Sequence, residues 1–237
     1  MIRIAPVSSA PETVRVFPSR EALAEAAADL LLVQMRARRG RILLSGASLP
    51  RSTFRRIASQ ATASDYRSVH LFFSDERMVP ADHPESVYGT VKRAWLAPSR
   101  FPPERVHRIV GDVTAERAAH LAEEELRAVT GEPPRLDLAL LGLGRDGHTA
   151  ALYPGVTDAS DTDRLYAPAR GGARVTATFT LLAACQLVVF AVSGADRAEA
   201  VRAALHDPPG AVPASLVASP GRVPLWLLDR DAASRLS

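Results

Sequence analysis

The sequence predicts an α/β fold, a parallel or mostly parallel sheet with helices on both faces. Three observations point there. Strand-like and helix-like segments alternate along the whole chain, the pattern of successive βα units. The runs at 138–141 (LALL) and 186–193 (QLVVFAVS) are apolar at successive positions rather than at every second one, as expected of strands covered on both sides. Four runs end in glycine-bearing or charged loops, at Ser45-Gly46, Asp75-Glu76-Arg77, 142–148 and Ser193-Gly194. Ligands of such sheets bind outside the carboxyl ends of the strands, so these four loops should meet in one place.

Taken in order, 13–17 (TVRVF) reads as a short strand, and Pro18-Ser19 opens an alanine-rich helix to about 37 with Leu23, Leu30, Leu31 and Met35 facing the core. Residues 41–45 (RILLS) form the next strand, and Pro50 suits the first turn of a helix that buries Phe54 and Ile57. The strand at 68–74 (SVHLFFS) runs into Asp75-Glu76-Arg77, read as a loop, and a helix follows from about 85 to 96. A short extended piece at 106–110 and an amphipathic helix at 115–129 lead to the strand before Gly142. Beyond it a helix is expected after Gly147, ended within two turns by Pro154-Gly155. The polar segment 156–173 has the character of a mobile loop with a brief strand near 165–167. Residues 174–179 lead into a short helix at 180–185, and a helix at 195–206 follows the strand that ends at Ser193. The last strand is 223–228, after which Asp229 caps a short helix.

With 237 residues, 47% hydrophobic and 23% charged, the chain reads as a single domain over 1–237 with a sizeable core. The net charge of +3 is scattered rather than clustered, which argues against nucleic acid as a partner. Lys92 is the only lysine and lies beside Arg93 in a surface-type helix, so Schiff-base chemistry is not expected. The single cysteine, Cys185, sits in an apolar setting and reads as a small core residue. The six histidines show no HxxxH or HxH spacing, so no metal site is expected. No run of about 18 apolar residues suggests a membrane span, and the first residues lack a signal-peptide core, so a cytoplasmic location is expected.

The stretch with the most chemistry is 136–155, LDLALLGLGRDGHTAALYPG. Gly142, Gly144 and Gly147 spell GxGxxG, but the short helix and the placement of Asp161 and Asp163 in a polar loop do not fit a dinucleotide site. Glycines that only make a tight turn would leave Asp146 and His148 unexplained. Gly46, Ala47 and Ser48 join a strand to a helix start, a geometry that binds phosphate through N–H and hydroxyl groups, although Ser48 can equally be a plain helix cap. Asp75-Glu76-Arg77 can be a solvated turn or part of a site. Arg174 and Arg197 are candidate phosphate clamps or ordinary surface arginines.

Together, RILLSGASLP, LFFSDERMVPADHPES, LALLGLGRDGHTAALYPG, the stretch 174–180, VVFAVSGADRAEAV and PLWLLDRDAA resemble the 6-phosphogluconolactonase family over nearly the whole chain. This family lies within the group that includes glucosamine-6-phosphate deaminase. The resemblance implies a sugar-phosphate isomerase/deaminase-like fold and a cofactor-free hydrolase of the pentose phosphate pathway. Its partner would be a small phosphorylated sugar lactone, and the protein a monomer or small homo-oligomer. It also implies that His148 is the general base, that Asp75, Arg77 and Asp146 line the reacting end, and that Gly46, Ala47, Ser48, Arg174 and Arg197 hold the phosphate. The chain departs from the family pattern at Ala47 and Leu49, where Gly and Thr are common, at Val87 for an Asn, and at Arg197 for a Lys.

A lactone is an activated ester, and no Ser or Cys with an attendant base is evident, which agrees with direct attack by water. The oxyanion would meet N–H groups of the glycine loop or Arg77. Two other readings carry their own discriminators. A glucosamine-6-phosphate deaminase or isomerase would use Asp75 as base and release ammonia. A non-catalytic sugar-phosphate sensor would carry a helix-turn-helix segment, for which the stretch before Thr13 leaves no room.

Overall fold

The computed structural model describes residues 13–37, 40–46, 51–155, 163–217 and 223–236. The strands in chain order are β1 (Val14–Phe17), β2 (Arg41–Leu44), β3 (His70–Phe73), β4 (Asp75–Arg77), β5 (Val106–His107), β6 (Leu136–Leu141), β7 (Tyr166–Ala169), β8 (Arg174–Ala177), β9 (Cys185–Val192) and β10 (Leu225–Asp229). The α-helices are α1 (Arg20–Arg36), α2 (Arg51–Gln60), α3 (Val87–Val91), α4 (Ala115–Thr130), α5 (Phe179–Ala183) and α6 (Ala198–His206).

Seven strands form one sheet in the order β1-β10-β9-β6-β2-β3-β5, and every neighbouring pair is parallel. Side chains alternate between faces along a strand, yet Leu138, Ala139, Leu140 and Leu141 are all fully buried, so both faces of the sheet centre are covered. α1 packs against α2 and β10, and α4 against β7 and β8. From β2 the chain passes to β3 on one side, whereas from β6 it passes by way of β7 and β8 to β9 on the other. The crevice at the carboxyl ends of β2 and β6 is thus the switch point of the sheet, where a ligand finds room between diverging connections.

The helix starts follow local chemistry. The Ser19 hydroxyl accepts from the Ala22 N–H at 3.2 Å and opens α1. Leu23, Leu31 and Met35 of that helix are buried, with Leu30 partly buried against the same core. Thr114 caps α4, and Gly131 ends it with φ +82°. The helix expected over 85–96 divides into the five residues of α3 and a wider turn, Lys92–Leu96. The helix expected from 195 begins with a tighter turn, Ala195–Arg197, before α6.

Three expectations need correction. Asp75-Glu76-Arg77 is not a loop but β4, which joins β8 and β7 in a separate antiparallel sheet, with Asp75 opposite Thr176 and Arg77 opposite Arg174. Three charged residues have little intrinsic strand preference, and the β8 backbone supplies the pairing. No helix follows Gly147. Residues 148–153 form turns closed by a bridge between Thr149 and Leu152, and Ala150 has φ +50°, which a right-handed helix does not admit. No helix N-terminus therefore faces the site from that loop. After Asp229 the chain makes turns rather than a helix, although the Asp229 carboxylate still accepts from the Ala232 N–H at 2.8 Å.

Candidate functional site

Three of the four loops expected to meet line a cavity of about 440 Å³, and from the segment after β9 Arg197 reaches it rather than Ser193-Gly194. Ser45 brings in the end of β2, Asp75 and Arg77 come from β4, and Gly144, Asp146 and His148 follow β6. Arg174 and Arg197, also expected from the sequence, line it too, Gly46 is not among the lining residues, and Tyr153 and Arg170 line it without having been expected. Gly46 directly follows Ser45, and a Cβ there would lie 2.7 Å from Val87 Cγ1 and 2.8 Å from Val91 Cγ2, so α3 packs directly on its backbone. Ala47, Ser48 and Leu49 lie outside the described residues. A larger cavity of about 720 Å³, lined by Arg135 and Gln186 at the opposite ends of β6 and β9, holds none of the site residues expected from the sequence.

His148 is the best-defined group. Its Nδ1 lies 2.5 Å from Asp146 Oδ1, and its backbone N–H donates to the same oxygen at 3.2 Å. Burial raises the Asp146 carboxyl pKa, but the hydrogen bonds from the His148 side chain and backbone outweigh that effect and hold it below the ordinary value. An ionised carboxylate only accepts, so Nδ1 is the donor, and in the neutral ring Nε2 carries the lone pair. The His148 side chain retains 31% of its exposure.

The glycines of the loop serve this ring. A Cβ on Gly144 would fall 2.0 Å from His148 Nδ1, so only a glycine lets the imidazole lie against the backbone there. Gly147 has φ +82° and no room for a side chain beside Val212. The loop also uses its own donors, since the Gly144 N–H bonds His148 O at 2.8 Å and the Gly147 N–H bonds Gly144 O at 3.1 Å. Those two N–H groups are therefore not available to an oxyanion. Further back, the Thr149 hydroxyl donates to Gly142 O, and the Ala151 N–H donates to Thr176 Oγ1, both at 3.0 Å. The loop is thereby stitched to β8.

Asp75 and Arg174, which the resemblance assigns to the reacting end and to the phosphate, are direct partners. Arg174 Nη1 donates to Asp75 Oδ2 at 2.5 Å, and Asp75 Oδ1 accepts from the Ser74 hydroxyl at 3.0 Å. Arg77 donates to the Glu85 carbonyl at 2.7 Å and keeps further N–H groups beside the cavity. Glu76, between them, turns inward. It accepts from the N–H groups of Arg77, Val87 and Tyr88 and from the Ser86 hydroxyl, at 2.7 to 3.0 Å. It thus caps α3 rather than serving the cavity. Burial pushes its carboxyl up despite those four bonds.

Arg197 bridges two strand ends, with Nε on Leu143 O at 3.0 Å and Nη1 on Ser193 O at 3.2 Å, and it also meets Asp196. The Gly194 N–H is held by Asp229 at 3.1 Å, which ties the end of β9 to that of β10. Cys185 is buried, and burial pushes its thiol well up, in keeping with a core residue. Among the described residues, no group of three or more His, Cys, Asp or Glu is gathered to hold a metal ion. No described helix is long and apolar enough to cross a membrane.

Residues 18–226 match the family described as glucosamine-6-phosphate isomerases/6-phosphogluconolactonase. The chain is 34% identical over 241 residues to a 6-phosphogluconolactonase from Nostoc sp., covering 95% of this chain and 99% of that protein. It is 34% identical over 245 residues to a 6-phosphogluconolactonase from Rattus norvegicus, covering 96% and 95% of the two chains. A solved structure described as the devB protein superposes with a TM-score of 0.86 at 30% identity, covering 95% of this chain and 99% of the other.

Proposed function

The chain belongs to the glucosamine-6-phosphate isomerase/6-phosphogluconolactonase family, and from that membership we propose how its site residues divide the work of opening a lactone. The enzyme hydrolyses 6-phospho-D-glucono-1,5-lactone to 6-phospho-D-gluconate in the pentose phosphate pathway. His148 is the general base. The supporting observation is the 2.5 Å contact between its Nδ1 and Asp146, which leaves Nε2 as the acceptor of a ring that lines the cavity.

In the addition step a water oxygen bonds to C1 of the lactone while its proton passes to Nε2, and the carbonyl electrons move to oxygen. When the carbonyl re-forms, the bond from C1 to the ring oxygen breaks, and the imidazolium returns the proton to that leaving oxygen. Arg77 stabilises the oxyanion through N–H groups not used on Glu85, since the Gly144 and Gly147 donors are occupied within their own loop. Arg197 holds the phosphate, with Gly46 contributing from the end of β2. Arg174 serves mainly to fix Asp75 at the cavity wall. A doubly charged sugar phosphate does not cross a bilayer unaided, and this supports a cytoplasmic location.

The test is the rate of 6-phosphogluconolactone opening above its spontaneous hydrolysis, measured for the native enzyme and for His148→Ala and His148→Gln. Loss of a general base lowers kcat by about 10²–10⁴-fold, with an unchanged unfolding midpoint because the ring is partly exposed. Near-native turnover in either variant would remove His148 from the base role.

A further inference from the structure

The β7–β8 hairpin turns through residues 170–173, and its first residue is an arginine with φ +52°. The left-handed region is rarely occupied by a long L side chain, and glycine fills it without strain. Gly171 and Gly172, the next two residues, do fill it, with φ +62° and +84°. An arginine retained at the strained position points to a use for its side chain. That side chain lies over a ring, with the Arg170 guanidinium carbon 4.7 Å from the centre of Tyr153. The Tyr153 ring in turn lies 4.5 Å from the centre of the His148 imidazole, tilted by 32°. All three side chains line the cavity.

The other arginines of the cavity are engaged. Arg174 is paired with Asp75, Arg197 with Asp196 and two carbonyls, and Arg77 with the Glu85 carbonyl. Among the described residues Arg170 has no carboxylate or carbonyl partner, and its contact is the face of Tyr153. A guanidinium at this distance from a phenol ring is held by the ring's negative face. His148, for its part, is bonded at Nδ1 to a half-exposed carboxylate and lies against the Gly144 backbone, and Tyr153 is the ring that packs on it.

We propose that Arg170 and Tyr153 are positioning residues for His148: the guanidinium holds the Tyr153 ring, and the ring fixes the imidazole plane so that Nε2 meets the attacking water. This rests on the reading of His148 as the base. The substrate need not touch Arg170 for the effect, which is felt in turnover rather than in binding.

Arg170→Gly removes the side chain and also relieves the backbone. It should leave the unfolding midpoint unchanged or raise it while lowering kcat roughly three- to ten-fold, the worth of one cation–ring contact, with KM within about twofold. Arg170→Lys should recover part of the loss. Tyr153→Leu should lower kcat at least as much, and adding Arg170→Gly to it should change nothing further, because the two act as one unit. In NMR spectra without substrate, the His148 ring protons, shifted by the stacked phenol, should move toward free-histidine positions in Tyr153→Leu and part of the way in Arg170→Gly. A KM effect at constant kcat, a full Arg170→Gly loss in the Tyr153→Leu background, a lowered midpoint in Arg170→Gly, or unmoved His148 resonances would each overturn the proposal. If the native enzyme opened no lactone above the spontaneous rate, the lactonase reading would fail, while the NMR result would still decide the stack.

Discussion

Arg174 Nη1 stands 2.5 Å from Asp75 Oδ2 in a pair that retains only 11% and 3% of its side-chain exposure. The contact spans the antiparallel pairing of β4 with β8 and fixes a carboxylate at the wall of the cavity. Removing one member of a buried pair leaves the other charge uncompensated, at a cost of about 3–5 kcal/mol. Asp75→Ala and Arg174→Met should therefore each lower stability in urea by about that much, and the double variant by clearly less than the sum. Additive losses would mean that the two groups do not depend on one another.

Gly144 is set against the His148 ring so closely that a methyl group cannot be added without moving the imidazole. Gly144→Ala should lower kcat by more than tenfold, approaching the level of His148→Ala, while overpacking destabilises the fold by about 1–3 kcal/mol. Steady-state kinetics beside thermal unfolding would check this, and full activity in the variant would show that the loop can relax.

Glu76 offers a pH signature. Its folded-state pKa lies above the ordinary value of 4.5 because the carboxyl is buried. The folded protein thus holds this proton more tightly than the unfolded chain. The associated stability is fully present below the unfolded value and is lost as pH rises through the folded one. Glu76→Gln cannot titrate, so the stability difference between native and variant should fall as pH rises from about 4.5. Urea titrations across that interval would measure it, and a flat difference would contradict the assignment.

Arg197 holds the loops after β6 and β9 through Leu143 O and Ser193 O, in addition to its proposed hold on phosphate. Arg197→Ala should raise KM for the lactone about tenfold or more, from loss of charge-assisted hydrogen bonds worth about 1.5–3 kcal/mol. It should also lower kcat modestly, because the loop that bears His148 loses a tie. An unchanged KM would take Arg197 out of phosphate binding.

The elements legible in the sequence are those whose signal is local. β6 and β9 stand out because burial on both faces makes their residues apolar in succession, α1 because Pro18-Ser19 opens it, and α4 because it is amphipathic at helical spacing. β4 is hidden because its strand character comes from the β8 backbone. The turns at 148–153 read as helix because they follow a glycine-bearing strand end and stop at Pro154-Gly155, whereas the φ of Ala150 is set by the ties of its neighbours to Gly142 and Thr176. Arg170 carries no motif, and Tyr153, although inside the stretch 136–155, shows its part only where the two separate loops meet.

What the sequence determined by itself was the parallel α/β framework, the family resemblance, and the arrival of Asp146 and His148 at the carboxyl end of a central strand. Apolar succession and glycine placement are properties of neighbouring residues, and they survive without knowledge of what packs where. The tertiary structure decided the partners: Asp75 with Arg174, Glu76 with the start of α3, and His148 between Gly144 and Tyr153. The first joins residues 99 positions apart and exists only once β4 has paired with β8, and the other two depend on how a loop folds back on itself, which its residue types alone do not specify.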